Sequence, residues 1–130
     1  MRIVLSALFM MLASPAGAQH VALGGQMTAE ELEQEMFGVH LFGTVGAGQI
    51  WNECIEPDGD TLYTFGESQS RGKAWIPDDG SICFNYGGPD HCFQAYRSRD
   101  GYIFHGGETV WETTNIRRDV EVCTLSDMIG

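Results

Sequence analysis

The stretch from Gly72 to Phe93, GKAWIPDDGSICFNYGGPDHCF, constrains this chain more than any other. It reads as strand, turn, strand, turn, strand, with Cys83 and Cys92 placed to face each other across the second turn. Two cysteines opposite one another in an antiparallel pair fix a register. Asn85 then faces Asp90, and Tyr86 faces Pro89, around Gly87-Gly88. The glycines can supply positive φ, but Pro89 has no N–H to close a tight turn. The ladder is therefore expected to stop near Asn85 and Asp90, with Tyr86 to Pro89 as a looser loop. A bridge across about ten residues stabilises a fold by roughly 2–3 kcal/mol on the chain-entropy view.

A disulfide needs an oxidising compartment, and the N-terminus, MRIVLSALFMMLASPAGAQH, reads as an export signal. Arg2 is the positive region, the apolar run from Ile3 to Ala13 is too short to span a bilayer comfortably, and Ala16-Gly17-Ala18 is a small-residue cleavage site. Residues 1–18 are read as a signal peptide and residues 19–27 as a flexible lead-in. Residues 28–130 are read as one domain. Removing the leader leaves 112 of the 130 residues, with 18 acidic side chains against 6 basic ones and a formal charge of −12. Such a surface repels phosphate backbones and anionic lipids, so nucleic acid is a poor partner. No later apolar segment is long enough to be an integral membrane helix. The expected location is the periplasm or the medium. Four cysteines allow three connectivities. The favoured one is Cys83–Cys92 with Cys54–Cys123, the second closing a loop of about 70 residues worth roughly 4–5 kcal/mol.

Along the chain, Thr28-Ala29-Glu30-Glu31 is a capping box opening a short helix from Ala29 to about Phe37, ended by Gly38. Leu32, Met36 and Phe37 form its apolar face. Short strands follow at intervals of roughly ten residues: 39–44, 49–56, 61–66, 71–76, 81–86, 91–97, 102–105, 109–114 and 120–124. In the second of these, Trp51, Glu53 and Ile55 share one side and Ile50, Asn52 and Cys54 the other. Residues 67–70 read as a polar loop. The spacing predicts a mainly β chain. Its expected form is a small antiparallel up-and-down β-barrel, lipocalin-like, of about eight strands with one short N-terminal helix and two disulfides. With strands this short the lumen is expected to be filled by side chains.

The runs Trp51 to Gly59, Gly72 to Tyr86 and Cys92 to Phe104 resemble small exported proteins of Gram-negative bacteria grouped as domains of unknown function. The resemblance covers about half of the mature chain. It implies a small β-barrel and brings no catalytic set. A more distant similarity is to periplasmic lysozyme inhibitors, which present a Ser- and Gly-containing loop to the enzyme. The corresponding stretch here is Glu67 to Lys73, with Ser68, Ser70 and Arg71 as the inhibitor residues.

Read from the residues, no catalytic or metal set emerges and no cofactor is implied. His20, His40, His91 and His105 lack metal-ligand spacing. Asp58-Gly59-Asp60 and Asp78-Asp79-Gly80 read as hairpin turns, because a Ca²⁺ loop needs alternating oxygens and a later glutamate. Carboxylates such as Glu53 and Glu56, or Glu108 and Glu112, are expected by chance in an acidic chain. No glycine elbow surrounds a serine, and no cysteine is spare. The basic pairs Arg71/Lys73, Arg97/Arg99 and Arg117/Arg118 would make an anion or partner contact if they met in space. The expected function is a non-enzymatic exported barrel that binds a protein partner or a small ligand. The alternatives are an inhibitor of a cell-wall hydrolase and a hydrolase using carboxylates.

Overall fold

The hairpin register implied by Cys83 and Cys92 holds in the computed structural model, which describes residues 21–128. The expected leader lies outside the described residues. Helix α1 (Ala29–Glu35) precedes eight strands: β1 (Val39–Val45), β2 (Gln49–Ile55), β3 (Asp60–Phe65), β4 (Ser68–Trp75), β5 (Ser81–Asn85), β6 (His91–Ser98), β7 (Gly101–Gly106) and β8 (Thr109–Arg118). Each strand pairs antiparallel with the next, and β8 closes on β1 to complete a barrel in sequence order. Closure gives every strand a neighbouring strand on both sides. The β1–β8 seam shifts register between Phe42 and Gly43.

Period-two alternation sorts the side chains. Leu41, Trp51, Ile55, Ala74, Ile82, Phe84, Ala95, Tyr102 and Phe104 join one buried cluster. The capping box forms as its residues dictate: Thr28 Oγ1 accepts from Glu31 N at 3.2 Å, and Thr28 N donates to Glu31 Oε1 at 3.2 Å. A seven-residue helix is unstable alone. This one is held by Leu32 and Met36, both fully buried in the same cluster. The register places Val39, Ile55, Asp60, Trp75, Ser81, Ser98, Gly101 and Arg118 at one end of the barrel, and α1 sits at that end.

A second, smaller cluster lies on the outer face. Cys54 and Leu62 are covered there by Val120, Cys123 and Met128. The disulfides are Cys54–Cys123 and Cys83–Cys92.

Three expectations are corrected. Residues 120–124 do not form a strand. They run irregularly into a short 3₁₀ turn (Leu125–Met128), because β8 extends to Arg118 and already occupies the edge of β1. The lead-in is not loose near the domain: Leu23 N donates to Arg97 O at 2.7 Å, Met27 N donates to Ala95 O at 2.8 Å, and the Met27 side chain is buried. Residues 68–70 are not a loop. They begin β4, and Gly66, with φ +58°, forms the preceding tight turn with Glu67.

Candidate functional site

The end of the barrel opposite α1 is open, and the interior there is hollow rather than filled. A cavity of about 230 Å³ is bounded by Leu41, Trp51, Glu53, Tyr63, Ser70, Phe84, Tyr86, His91, Phe93, Phe104 and Trp111. Two sequence features account for it. The inner face of β4 reads Ser70, Gly72, Ala74, so one whole wall contributes little side-chain volume. Glycines also let rings lie flat against the sheet. A Cβ at Gly72 would sit 2.2 Å from Asn85 O and 2.7 Å from the Tyr86 ring, and one at Gly106 would sit 2.5 Å from the Phe93 ring.

The rings form a continuous wall. Tyr63 stacks on Tyr86 with centroids 5.5 Å apart, and Trp111 meets Tyr63 at 6.4 Å and Trp51 at 5.9 Å, edge to face. Trp51 is fixed by its indole N–H, which donates to Thr44 O at 3.0 Å.

One carboxyl stands in this wall. Glu53 of β2 lies between Leu41 of β1 and Tyr63 of β3 in the register and is only 3 % exposed. Tyr86 donates its hydroxyl to Glu53 Oε1 at 2.7 Å. Glu53 Oε2 is buried and has no hydrogen-bond partner. Burial pushes this carboxyl up to about 8, and the hydroxyls of Tyr86 and Thr61 oppose the shift. Thr61 acts from beyond hydrogen-bond distance, since neither its Oγ1 nor Glu53 Oε2 has a hydrogen-bond partner. The Tyr63 phenol is raised to about 12, first by burial and then by the Glu53 charge, and Tyr86 is raised further by the same causes. Both phenols therefore remain donors at neutral pH.

At the closed end a second tyrosine–glutamate pair is fully answered. Tyr102 donates its hydroxyl to Glu35 Oε1 at 2.9 Å, and Arg97 bonds the other oxygen, Glu35 Oε2. Arg97 also pairs with Glu31, and Arg118 donates to the Tyr102 oxygen at 2.8 Å.

The residues singled out in the sequence fall as follows. The four cysteines pair as favoured. Lys73 bonds Asp60, and Arg97 is engaged by α1. Arg71 and Lys73 share the outer face of β4, while Arg97 lies on the inner-face register of β6 and Arg99 in the turn after it, with β5 between the two strands. Arg71/Lys73 and Arg97/Arg99 therefore lie apart, whereas Arg97 and Arg118 meet at Glu35 and Tyr102. Ser68 and Ser70 lie on the opposite face of β4 from Arg71, so the expected inhibitor loop is a paired strand whose residues point two ways. Glu53 and Glu56 are not a facing pair: Glu53 is inside, whereas Glu56 Oε2 accepts from Cys123 N at 3.1 Å.

Glu56, Asp58 and Asp60 cluster at the β2–β3 turn, and their oxygens serve Cys123 N, Asp60 N and Lys73. His40 is buried, bonded to Asn52 at 3.1 Å, with Arg117 at 3.4 Å, and held below its ordinary value by burial and by that guanidinium. His105 meets Tyr96 edge to face. Among the described histidines only His91 reaches the cavity, and His20 lies outside the described residues.

Sequence reasoning weighed Glu53 only as half of a carboxylate pair. A usable signal was present: Glu53 shares a face with Trp51 and Ile55, so an ionisable group had to enter the core. Tyr86 was hidden because it falls in the expected loop, beyond the last ladder pair, Phe84 with His91.

No family model, curated protein or solved structure matches this chain. Chemically, the site is a small aromatic chamber with one buried acid. It offers one carboxyl, two phenols, a serine and an imidazole to a guest.

Proposed function

We propose that this chain is an exported binding protein, without catalytic activity, that holds a small molecule in the open mouth of its barrel. The observation carrying the reading is the aromatic cavity with the orphan oxygen of Glu53. A buried carboxyl oxygen without a partner is costly. Concave apolar pockets holding a few convergent polar groups are the usual form of small-ligand sites. The volume is below the roughly 300–1,000 Å³ common for drug-sized ligands, which favours a compact guest.

Export is supported by the two disulfides. Among the described residues, no helix is long and apolar enough to cross a membrane. A carboxylate hydrolase of the usual acid–base kind would need a second carboxyl facing the first, and among the described residues Glu53 alone brings a carboxyl to the cavity.

The test is native mass spectrometry of protein isolated without denaturation from its producing cells, followed by solvent extraction and identification of what is released. A bound small molecule, displaced when Ser70→Trp fills the cavity, is expected. Ligand-free protein from every growth condition, with Ser70→Trp indistinguishable in retained mass, would overturn the reading.

A further inference from the structure

We propose that the open end is a receptor for a compact organic cation: a protonated amine on an aromatic or apolar body, paired with the carboxylate of Glu53, which lines the cavity. This rests on the small-ligand reading above and adds the chemistry of the ligand.

The molecule contains its own precedent. At the closed end a buried tyrosine hydroxyl holds one oxygen of Glu35, and a guanidinium takes the other. At the open end Tyr86 holds one oxygen of Glu53 in the same way, and the other has no partner. Among the described residues no lysine or arginine lines the cavity, so we look outside the chain for the completing cation.

The walls suit such a guest. Tyr63, Tyr86 and Trp111 are electron-rich rings, and aromatic faces attract cations most strongly where water is excluded. The acidic character of the chain, −11 over its full length, favours the approach of positive solutes and disfavours anions.

The charge requirement makes binding proton-linked. Glu53 must be ionised to hold a cation, and in the empty site it titrates near 8. The other titratable groups facing it are Tyr63 on β3, Tyr86 after β5 and His91 on β6. The two phenols do not ionise between pH 6 and 8, since both are raised well above that range. Amine affinity should therefore climb by about tenfold per pH unit from 6 towards 8, because one proton leaves Glu53 for each cation bound.

The experiment is calorimetric titration of the folded, disulfide-bonded protein with three probes of one shape: phenethylamine, 2-phenylethanol and phenylacetate. Each is measured at pH 6, 7 and 8 on the parent chain, on Glu53→Gln and on His91→Gln. The expected result is amine binding at least tenfold tighter than alcohol at pH 8, with phenylacetate weakest. The preference should shrink about tenfold per unit towards pH 6, persist in His91→Gln and vanish in Glu53→Gln.

Equal amine and alcohol affinities in the parent chain would overturn the cation assignment while leaving a small-molecule site standing. A pH slope that disappears in His91→Gln would likewise overturn it. Absence of binding by all three probes at millimolar concentration would overturn it too, and the retained-ligand experiment then decides the broader reading separately. The parent-chain comparison needs no variant, so a poorly folded Glu53→Gln would not shield the proposal.

Discussion

The two ends of this barrel carry the same polar device and finish it differently. At the helix end, Tyr102, Glu35, Arg97 and Arg118 satisfy one another. At the open end, Tyr86 and Glu53 form the matching pair and no cation follows. The closed end gains fixed geometry for a helix too short to hold itself. The open end keeps a group whose satisfaction is left to something outside the chain. Stability and binding capacity are thus separated along one barrel axis.

The largest expected effect falls on the closed end. Leu32→Ala should cost about 2–5 kcal/mol in denaturant unfolding, because it empties a fully buried site and loosens α1. The same variant should leave probe affinity at the open end within a factor of about three; a coordinate loss of both would break the separation.

Next in size is a contrast of sign. Glu53→Leu should stabilise the empty protein by about 1–4 kcal/mol at pH 8.5, since an uncompensated buried carboxylate is replaced by a hydrocarbon of similar size. Glu35→Leu should destabilise, because Arg97 and the Tyr102 hydroxyl lose their acceptor. Equal signs for the two substitutions would break the comparison.

Gly72→Ala should cost about 1–3 kcal/mol and weaken probe binding together, since the added methyl strikes Asn85 O and the Tyr86 ring. The smallest change is expected for Thr28→Ala, about 1 kcal/mol through loss of the helix cap, with no effect on the cavity as read by probe titration.

Much of the fold was legible because its determinants are local. Gly and Asp turns at regular spacing announced the hairpins, and Cys83 opposite Cys92 set a register the barrel keeps. The capping box at Thr28 and Glu31 placed the helix start. What could not be read depended on contacts distant in sequence. Residues 120–124 alternate like a strand, yet β8 had already closed the barrel, so they became the cover over Cys54 and Leu62. The lumen was expected to be full, and its hollow end depends on small residues of β4 facing rings from other strands. The candidate site was half legible: alternation put Glu53 on the Trp51 and Ile55 side, but its partner Tyr86 lies 33 positions away.

Carbon-detected NMR titration of the side-chain carboxyls, with Glu53→Gln to assign the resonance, tests the central contrast most directly. Glu53 should titrate near 8 in the ligand-free protein. Because its folded value lies above the unfolded one, its stabilising contribution is present in full below about pH 4.5 and is lost as pH rises through 8. Unfolding free energy should therefore decline over that interval in the parent chain, and this component of the decline should be missing in Glu53→Gln. A Glu53 midpoint near 4.5, with the same pH profile of stability in both proteins, would contradict the account.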